Sequence, residues 1–168
     1  MTAVADSGPL IVLAKINHLH LLPTLYGNVL VPQAVYDEAV VMGRVRGYRD
    51  AETTESFLDS MGWLPATPPE MPKELTNDTR LGQGECEAIA LALQHRVLLL
   101  IDEIHARSVT ERPGLQTSGS VGILVEAYRK GILTPGMLEE LLITIESREY
   151  VWIHPDLCRR ARRQVLGK

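Results

Sequence analysis

Apolar residues in this chain fall into two patterns, short continuous runs and longer stretches with helical spacing. The short runs predict strands at residues 2–5, 29–31, 97–101 and 115–117, and residues 150–153 are predicted to be extended. The helical spacing predicts helices near residues 10–14, 20–25, 32–40, 85–93, 102–109, 119–130, 134–145 and 156–166. Because strands and helices alternate, we expect an α/β fold, a three-layer α/β/α sandwich with a central, mainly parallel sheet.

The pattern weakens between residues 43 and 79. Two amphipathic stretches fit inside this segment, but four prolines, Pro65, Pro68, Pro69 and Pro72, favour loop. A length of 168 residues is typical of one domain with a core of its own. We therefore predict a single domain over residues 1–168, with a variable, loop-rich segment at about 43–79.

Composition narrows the class of protein. Hydrophobic residues make up 45% of the chain, which argues against wholesale disorder. No apolar run approaches the roughly 20 residues that span a bilayer, and the N-terminus lacks the pattern of a secretion signal. Two cysteines, Cys86 and Cys158, make neither a disulfide framework nor a zinc site. These features predict a cytoplasmic protein without a membrane partner.

The charge of the chain bears on nucleic-acid binding. A net charge of −4 argues against a protein that binds nucleic acid over its whole surface, because such proteins are usually basic. It does not argue against an enzyme whose acidic residues are gathered at a metal site. One Phe and two Trp offer little material for stacking on bases. Local basic runs occur at residues 44–49 and 159–163, and they are either solvated faces or contacts to RNA phosphates.

Four acidic residues stand at corresponding ends of predicted elements. Asp6 follows the first strand and Asp102 follows the aliphatic run, and ligands of open parallel sheets bind beyond the carboxyl ends of the strands. Glu38 and Glu85 lie on predicted helices whose starts could face the same edge. Four carboxylates gathered there would suit Mg²⁺ or Mn²⁺, whose preferred ligands are oxygen atoms.

Each acid also has a purely structural explanation. Asp6 fits a helix cap, and Asp102, Glu103 and Glu85 fit the first turns of helices, where the helix dipole favours negative charge. Glu38 fits a solvated helix face. The dipole explanation is preferred for Glu87, a fifth acid beside Glu85. The five histidines do not cluster at ligand spacings, so zinc is not expected. His18 and His20 are predicted to point to opposite sides of a helix or turn, and the other three histidines are isolated.

Five blocks of the sequence, in this order, resemble PIN domains, and the similarity is greatest to the DUF3368 family within them. The blocks are residues 4–11 (VADSGPLI), 31–38 (VPQAVYDE), 84–92 (GECEAIALA), 99–107 (LLIDEIHAR) and 118–124 (SGSVGIL). The DUF3368 family is similar to the toxins of VapBC-type toxin–antitoxin pairs. The resemblance covers most of the chain, departing from it at Gly8 and in the segment 43–79.

The resemblance assigns roles to particular residues. It implies that the metal-binding and catalytic acids are Asp6, Glu38, Glu85 and Asp102. Glu103 would share or replace the role of Asp102, because families differ in which acid after this strand points inward. Polar support would come from three serines, Ser7 beside the first acid and Ser118 or Ser120 near the site.

The resemblance also implies an activity. It indicates a Mg²⁺- or Mn²⁺-dependent endoribonuclease that leaves a 5′-phosphate and a 3′-hydroxyl. The partners that it implies are an RNA substrate, an antitoxin and a second copy in a homodimer. The alternative is a catalytically inactive PIN-fold protein that binds an antitoxin or RNA. A small-molecule phosphatase is disfavoured, because an Asp-x-Asp loop would need an acid where Gly8 stands.

Overall fold

A five-stranded parallel sheet forms the centre of the protein. The computed structural model describes residues 1–68, 70–111, 113–148 and 151–167. The strands are β1 (Thr2–Ala5), β2 (Asn28–Pro32), β3 (Pro65–Ala66), β4 (Leu98–Leu100) and β5 (Thr117–Ser118). They lie in the order β3-β2-β1-β4-β5, and every neighbouring pair is parallel. The predicted α/β/α sandwich is confirmed.

Helices follow each strand. They are α1 (Ser7–Lys15), α2 (Leu21–Tyr26), α3 (Gln33–Tyr36), α4 (Gly43–Val45), α5 (Arg49–Met61), α6 (Lys73–Thr76), α7 (Gln83–His95), α8 (Ile104–Glu111), α9 (Ser120–Arg129), α10 (Pro135–Ser147) and α11 (Pro155–Ala161). Two segments are π-helical, π1 (Asp37–Met42) and π2 (Arg162–Leu166). Because π1 joins α3 to α4 without a break, residues 33–45 form one continuous helical stretch.

Burial of the central strand shows that helices cover both faces of the sheet. Ala3, Val4 and Ala5 are each fully buried, although successive side chains of a strand point to opposite faces. Helix α7 packs against β1, β2 and β4, with small side chains such as Ala88 and Ala92 fully buried. Small residues let the helix approach the sheet closely, and this approach fixes where the start of α7 lies relative to the strand ends.

The segment 43–79 contains more regular structure than the sequence predicts. Helix α5 buries Ala51, Thr54 and Leu58, at the spacing of one helix face, and β3 adds an edge strand to the sheet. Pro65 is tolerated in β3 because an edge strand leaves some backbone N–H groups without a ladder partner. The prolines of this segment, which favour loop by sequence, therefore include one in an edge strand. Pro69 lies outside the described residues.

Other differences from the predicted elements are small. Strand β4 is shorter than the aliphatic run, and β5 begins two residues later than predicted. Residues 151–153 form no strand, and Tyr150 lies outside the described residues. Both cysteines are free and buried. None of the helices in the described part of the chain is long and apolar enough to cross a membrane.

Candidate active site

The order of the strands places a crevice at the carboxyl ends of β1 and β4. The chain proceeds from β1 to β2 and β3 on one side, and then returns to place β4 on the other side of β1. In open α/β sheets such a reversal opens a crevice beyond the strand ends, where ligands bind. Asp6 follows β1 and Asp102 follows β4 at this point, and the Asp6 N–H donates to the Leu100 carbonyl at 2.9 Å.

Asp6 has an unusual environment for a carboxylate. Its side chain is only 4% exposed, and Oδ1 is buried without a hydrogen-bond partner among the described residues. Its backbone occupies the N-cap position of α1, but its side chain makes no capping hydrogen bond. The capping explanation of Asp6 is therefore not supported by the structure.

Burial and neighbouring acids make the Asp6 carboxyl hard to ionise. The pKa of Asp6 is raised from 3.8 to about 7, chiefly by burial and also by the negative charges of Glu85 and Glu38, against the opposing effect of the Ser7 and Gly8 N–H groups. Ser7, the first residue of α1, thus contributes through its backbone N–H. The repulsion shows that three of the predicted acids lie within electrostatic reach of one another.

Glu38 and Glu85 meet at the start of α7. Glu38 is exposed on π1, and both of its carboxylate oxygens lie 2.9 Å from the position that a Cβ atom would take on Gly84. Glu85 is half-buried, and its Oε2 accepts a hydrogen bond of 2.8 Å from the Gly82 N–H. Burial raises the pKa of Glu85, as do the negative charges of Glu103 and Glu38. Glu85 therefore caps α7 and also lies close to Asp6 and Glu38. We call these three acids the acidic cluster.

Asp102 is held rigidly by the start of α9. Its Oδ1 accepts from the Ser120 N–H at 2.7 Å and its Oδ2 accepts from the Ser120 hydroxyl at 2.6 Å. Burial raises its pKa, while the Ser120 hydrogen bonds and the Arg107 charge lower it. The carboxylate is also packed against glycine backbone, since a Cβ atom on Gly8 would lie 3.2 Å from Oδ2 and one on Gly119 would lie 2.7 Å from Oδ1.

The remaining candidate residues differ in whether they contact Asp102. Glu103 is exposed and its Oε2 accepts from the Ala106 N–H at 2.6 Å, so it caps α8 while Asp102 points inward. Ser120 is fully buried on Asp102. The Ser118 hydroxyl lies at the backbone of Gly122, and makes no hydrogen bond to the acids. The structure thus places Ser120 rather than Ser118 beside Asp102.

Two residues without a predicted role shape the site. Glu87, only 7% exposed, accepts from the Ala34 N–H at 2.9 Å and from Gln83 Nε2 at 3.1 Å, so it ties α7 to the start of α3. The helix-dipole explanation preferred for Glu87 on its own helix is therefore wrong. Arg107 lies one turn into α8, with one guanidinium nitrogen near Gly119. Its Nε is buried and has no hydrogen-bond partner in the part of the chain that the structure describes.

The histidines contribute no ligand set. His105 Nε2 lies 2.7 Å from Asp78 Oδ2, and Arg80 also binds Asp78, so this contact ties α8 to the loop before α7. Arg80 and then His105 hold the pKa of Asp78 well below its usual range. His18 and His20 lie closer than their sequence positions suggested, with ring centroids 5.2 Å apart.

The donor set and its electrostatics suit a divalent cation. As the side chains stand, no group of three or more His, Cys, Asp or Glu residues in the described part of the chain is close enough to hold a metal ion. However, Oδ1 of Asp6 lacks a hydrogen-bond partner among the described residues, and the charges of Asp6, Glu38 and Glu85 repel one another. A cation among these oxygens would remove both unfavourable features. The chemistry of these residues therefore fits a site for a divalent cation.

Comparison with known proteins agrees with this geometry. A family model described as PIN domain (DUF3368) matches residues 2–166. Searches of curated proteins and of solved structures returned no significant match. PIN domains are typically nucleases and generally use divalent metal ions. The match covers nearly the whole chain, and the chain therefore belongs to the PIN domain family.

Proposed function

We propose that the protein is a metal-dependent ribonuclease that hydrolyses phosphodiester bonds of RNA with Mg²⁺ or Mn²⁺. The observation that carries the proposal is the Asp6 carboxylate, which is buried, has no partner for Oδ1 and is electrostatically coupled to Glu85 and Glu38 at the reversal of strand order. A buried carboxylate oxygen without a hydrogen-bond partner costs stability, so its position is best explained by a ligand that binds there.

Each residue of the site would have a distinct role in the reaction. Asp6, Glu38 and Glu85 would bind metal from one side of the crevice and Asp102 from the other, held in place by Ser120. When bound, the metal would neutralise charge on the phosphate and lower the pKa of a water molecule. Arg107, near Asp102 and Gly119, would attract the phosphate group.

The resemblance to PIN-domain ribonucleases implies which bond of the phosphodiester would break. Water adds to phosphorus, the bond to the 3′ oxygen breaks, and that oxygen leaves with a proton as a 3′-hydroxyl. The products would be a 5′-phosphate and a 3′-hydroxyl. The resemblance to VapBC-type toxins supports a further proposal, that the protein is the toxin of a type II toxin–antitoxin pair, forms a homodimer and is inhibited by an antitoxin. A cytoplasmic location would accompany that role.

A cleavage assay tests the proposal. Purified protein is incubated with a mixed RNA pool and Mn²⁺, and wild type is compared with a double variant carrying Asp6→Asn and Asp102→Asn. We expect cleavage to fall at least about 100-fold in the double variant, because both sides of the crevice lose a metal ligand. Asp59→Asn, an exposed acid on α5, is the matched control and should cleave like wild type.

The inactive alternative has one observation in its favour. The acids of the described residues do not converge into a ligand set as they stand. Titration calorimetry with Mn²⁺ separates the alternatives. Absence of Mn²⁺ binding at millimolar concentration, together with no cleavage, would favour a PIN-fold protein that only binds an antitoxin or RNA.

A further inference from the structure

A groove of about 930 Å³ adjoins the acidic cluster at Glu38. Its lining includes six residues that matter here, Lys15, Glu38, Arg46, Tyr48, Arg49 and Trp152, and we call it the arginine groove. Because Glu38 belongs both to this groove and to the acidic cluster, a chain bound in the groove would lead directly to the site.

The charge of the arginine groove opposes that of the whole protein. Four cationic and two acidic side chains line it, whereas the full chain carries a net charge of −4. Arg46 and Arg49 are exposed, and neither forms an ion pair with any residue in the described ranges. Unpaired guanidinium groups at a groove of local positive charge are suited to binding phosphates.

Several other arginines of the described residues are held in ion pairs. Arg44 pairs with Glu55 at 2.7 Å. Near the C-terminus, Arg159 and Arg162 both pair with Glu146. The charges of these three arginines are offset by carboxylates, whereas the charges of Arg46 and Arg49 are not paired among the described residues and can bind a ligand.

Two exposed aromatic side chains also line the arginine groove. Trp152 is 95% exposed and Tyr48 is 52% exposed. Val151 and Ile153, on either side of Trp152, are buried and anchor the segment while the indole points outward. This exposure differs from the sequence expectation of little stacking material, because two well-placed rings suffice for a local contact.

The backbone that carries Tyr48 is held in place. The Tyr48 N–H donates to the Gly43 carbonyl at 2.9 Å, and the Gly47 N–H donates to the Arg44 carbonyl at 2.9 Å. Gly47 has a φ of 73°, which a glycine adopts without strain. Gly43 lies so close to Ala51 that an added Cβ would be 2.7 Å from the Ala51 Cβ. The wall of the groove is therefore formed before any ligand binds.

We propose that the arginine groove binds the single-stranded part of an RNA, with an unpaired base stacked on Trp152 or Tyr48 and phosphates bound by Arg46 and Arg49. An unpaired base is required because stacking on a side chain needs a free face of the base. This inference rests on the proposed ribonuclease function and deepens it by naming where the substrate is held. The groove would favour cleavage next to unpaired nucleotides.

Binding of RNA without metal tests the groove separately from catalysis. A labelled oligouridylate is titrated in EDTA and low salt, and binding is followed by anisotropy and by quenching of tryptophan emission. Trp152 is the exposed tryptophan and Trp63 is buried, so quenching reports on the groove. We expect Trp152→Ala to weaken binding about tenfold, from the loss of one stacking contact, and Trp152→Phe to retain most of the affinity.

A salt titration tests the arginines. The double variant Arg46→Ala, Arg49→Ala should lower the slope of log K against log salt by roughly 1.4, from the loss of two phosphate contacts on a single strand. Leu64→Ala removes a side chain that is 81% exposed outside the groove, and the pair Lys73→Ala, Arg163→Ala removes two exposed charges outside it. Both controls should bind like wild type.

The outcomes separate the groove from the nuclease. Unchanged RNA binding in both groove variants would overturn the groove proposal, even if the protein cleaves RNA with Mn²⁺. Loss of affinity in the groove variants, but not in the controls, would support it even if no cleavage is found. If an acidic peptide quenched Trp152 and the oligonucleotide did not, the groove would be a protein-binding site and the proposal would be wrong.

Discussion

At the scale of single residues, Asp6 shows a conflict between stability and function. A buried carboxylate with an unpartnered oxygen is costly, and its pKa is raised from 3.8 to about 7 chiefly by burial. Since the native state binds a proton that the unfolded chain has already released, the free energy of unfolding falls as pH rises between these two values. The stability associated with protonated Asp6 is complete below about pH 3.8 and lost above about pH 7.

This predicts how Asp6→Asn behaves in the absence of metal. The variant should be more stable than wild type above pH 7, by up to about 4 kcal/mol, because an amide cannot ionise. The difference should shrink as pH falls and vanish near pH 4. Thermal melting of both proteins in EDTA from pH 4 to 8.5 measures it. A stability difference between the two proteins that does not change with pH would contradict a raised pKa for the buried Asp6 carboxyl.

Residue by residue, the sequence identified the acids better than their partners. Asp6 and Asp102 could be selected because each directly follows an apolar run that ends at the same sheet edge. Ser120 was one of two open candidates, and Arg107 carried no predicted role, because a partner is chosen by rotamer and packing rather than by position along the chain. The sequence did offer one signal for Arg107, because a basic residue in the first turn of the helix that follows Asp102 can reach back toward that carboxylate.

At the scale of elements, the start of α7 and the segment π1 are in close contact through Glu38 and Gly84. Only a glycine leaves the space that the Glu38 carboxylate occupies. The buried Glu87 holds α7 to the start of α3 from the other side, so the helix that carries Glu38 has a fixed position. Segments of π-helix are frequent at functional sites, where they alter the direction of one side chain.

Gly84→Ala tests this contact. The new methyl group would lie 2.9 Å from both Glu38 oxygens, and since the end of a Glu side chain moves easily, the carboxylate should swing away at little cost to folding. We expect melting temperature to change little and Mn²⁺ affinity to fall about tenfold, as measured by calorimetry.

Gly136→Ala provides the matched control. Gly136 is also in the first turn of a helix, and a Cβ atom there would have no neighbour within 4 Å. It should bind Mn²⁺ like wild type. An unchanged affinity in Gly84→Ala as well would remove Glu38 from the metal site.

The elements themselves were predictable to different degrees. Strands and helices with strong apolar patterns were found because burial on both faces leaves a continuous run and burial on one face leaves a helical period. Helix α5 was not predicted with defined ends, because only three of its residues are buried and most of the others are exposed. Its packing against α1 and π1 stabilises it in the folded protein.

At the scale of the whole molecule, positive and negative charge are separated. The acidic cluster lies at the sheet edge, and the arginine groove adjoins it through Glu38. Binding a cation at the acidic cluster should therefore stabilise the entire fold, because repulsion among the acids is a cost of the native state.

The melting temperature should consequently depend on metal. At pH 8, Mn²⁺ at 100 times its dissociation constant should add about 2.7 kcal/mol, which corresponds to roughly 5–10 °C for a protein of this size. The double variant Asp6→Asn, Asp102→Asn should show no such rise. An equal rise in the double variant, measured by scanning calorimetry, would place the binding site elsewhere on the protein.

The sequence by itself determined the fold class, the sheet edge at which acids gather and four candidate metal ligands, because these follow from the spacing of apolar residues and the residues next to strand ends. Only the tertiary structure decided that Asp102 is held by Ser120, that Glu87 joins two helices, and that Arg46, Tyr48, Arg49 and Trp152 share one groove. Residues distant in sequence meet through packing, and packing depends on the three-dimensional course of the whole chain rather than on any local pattern.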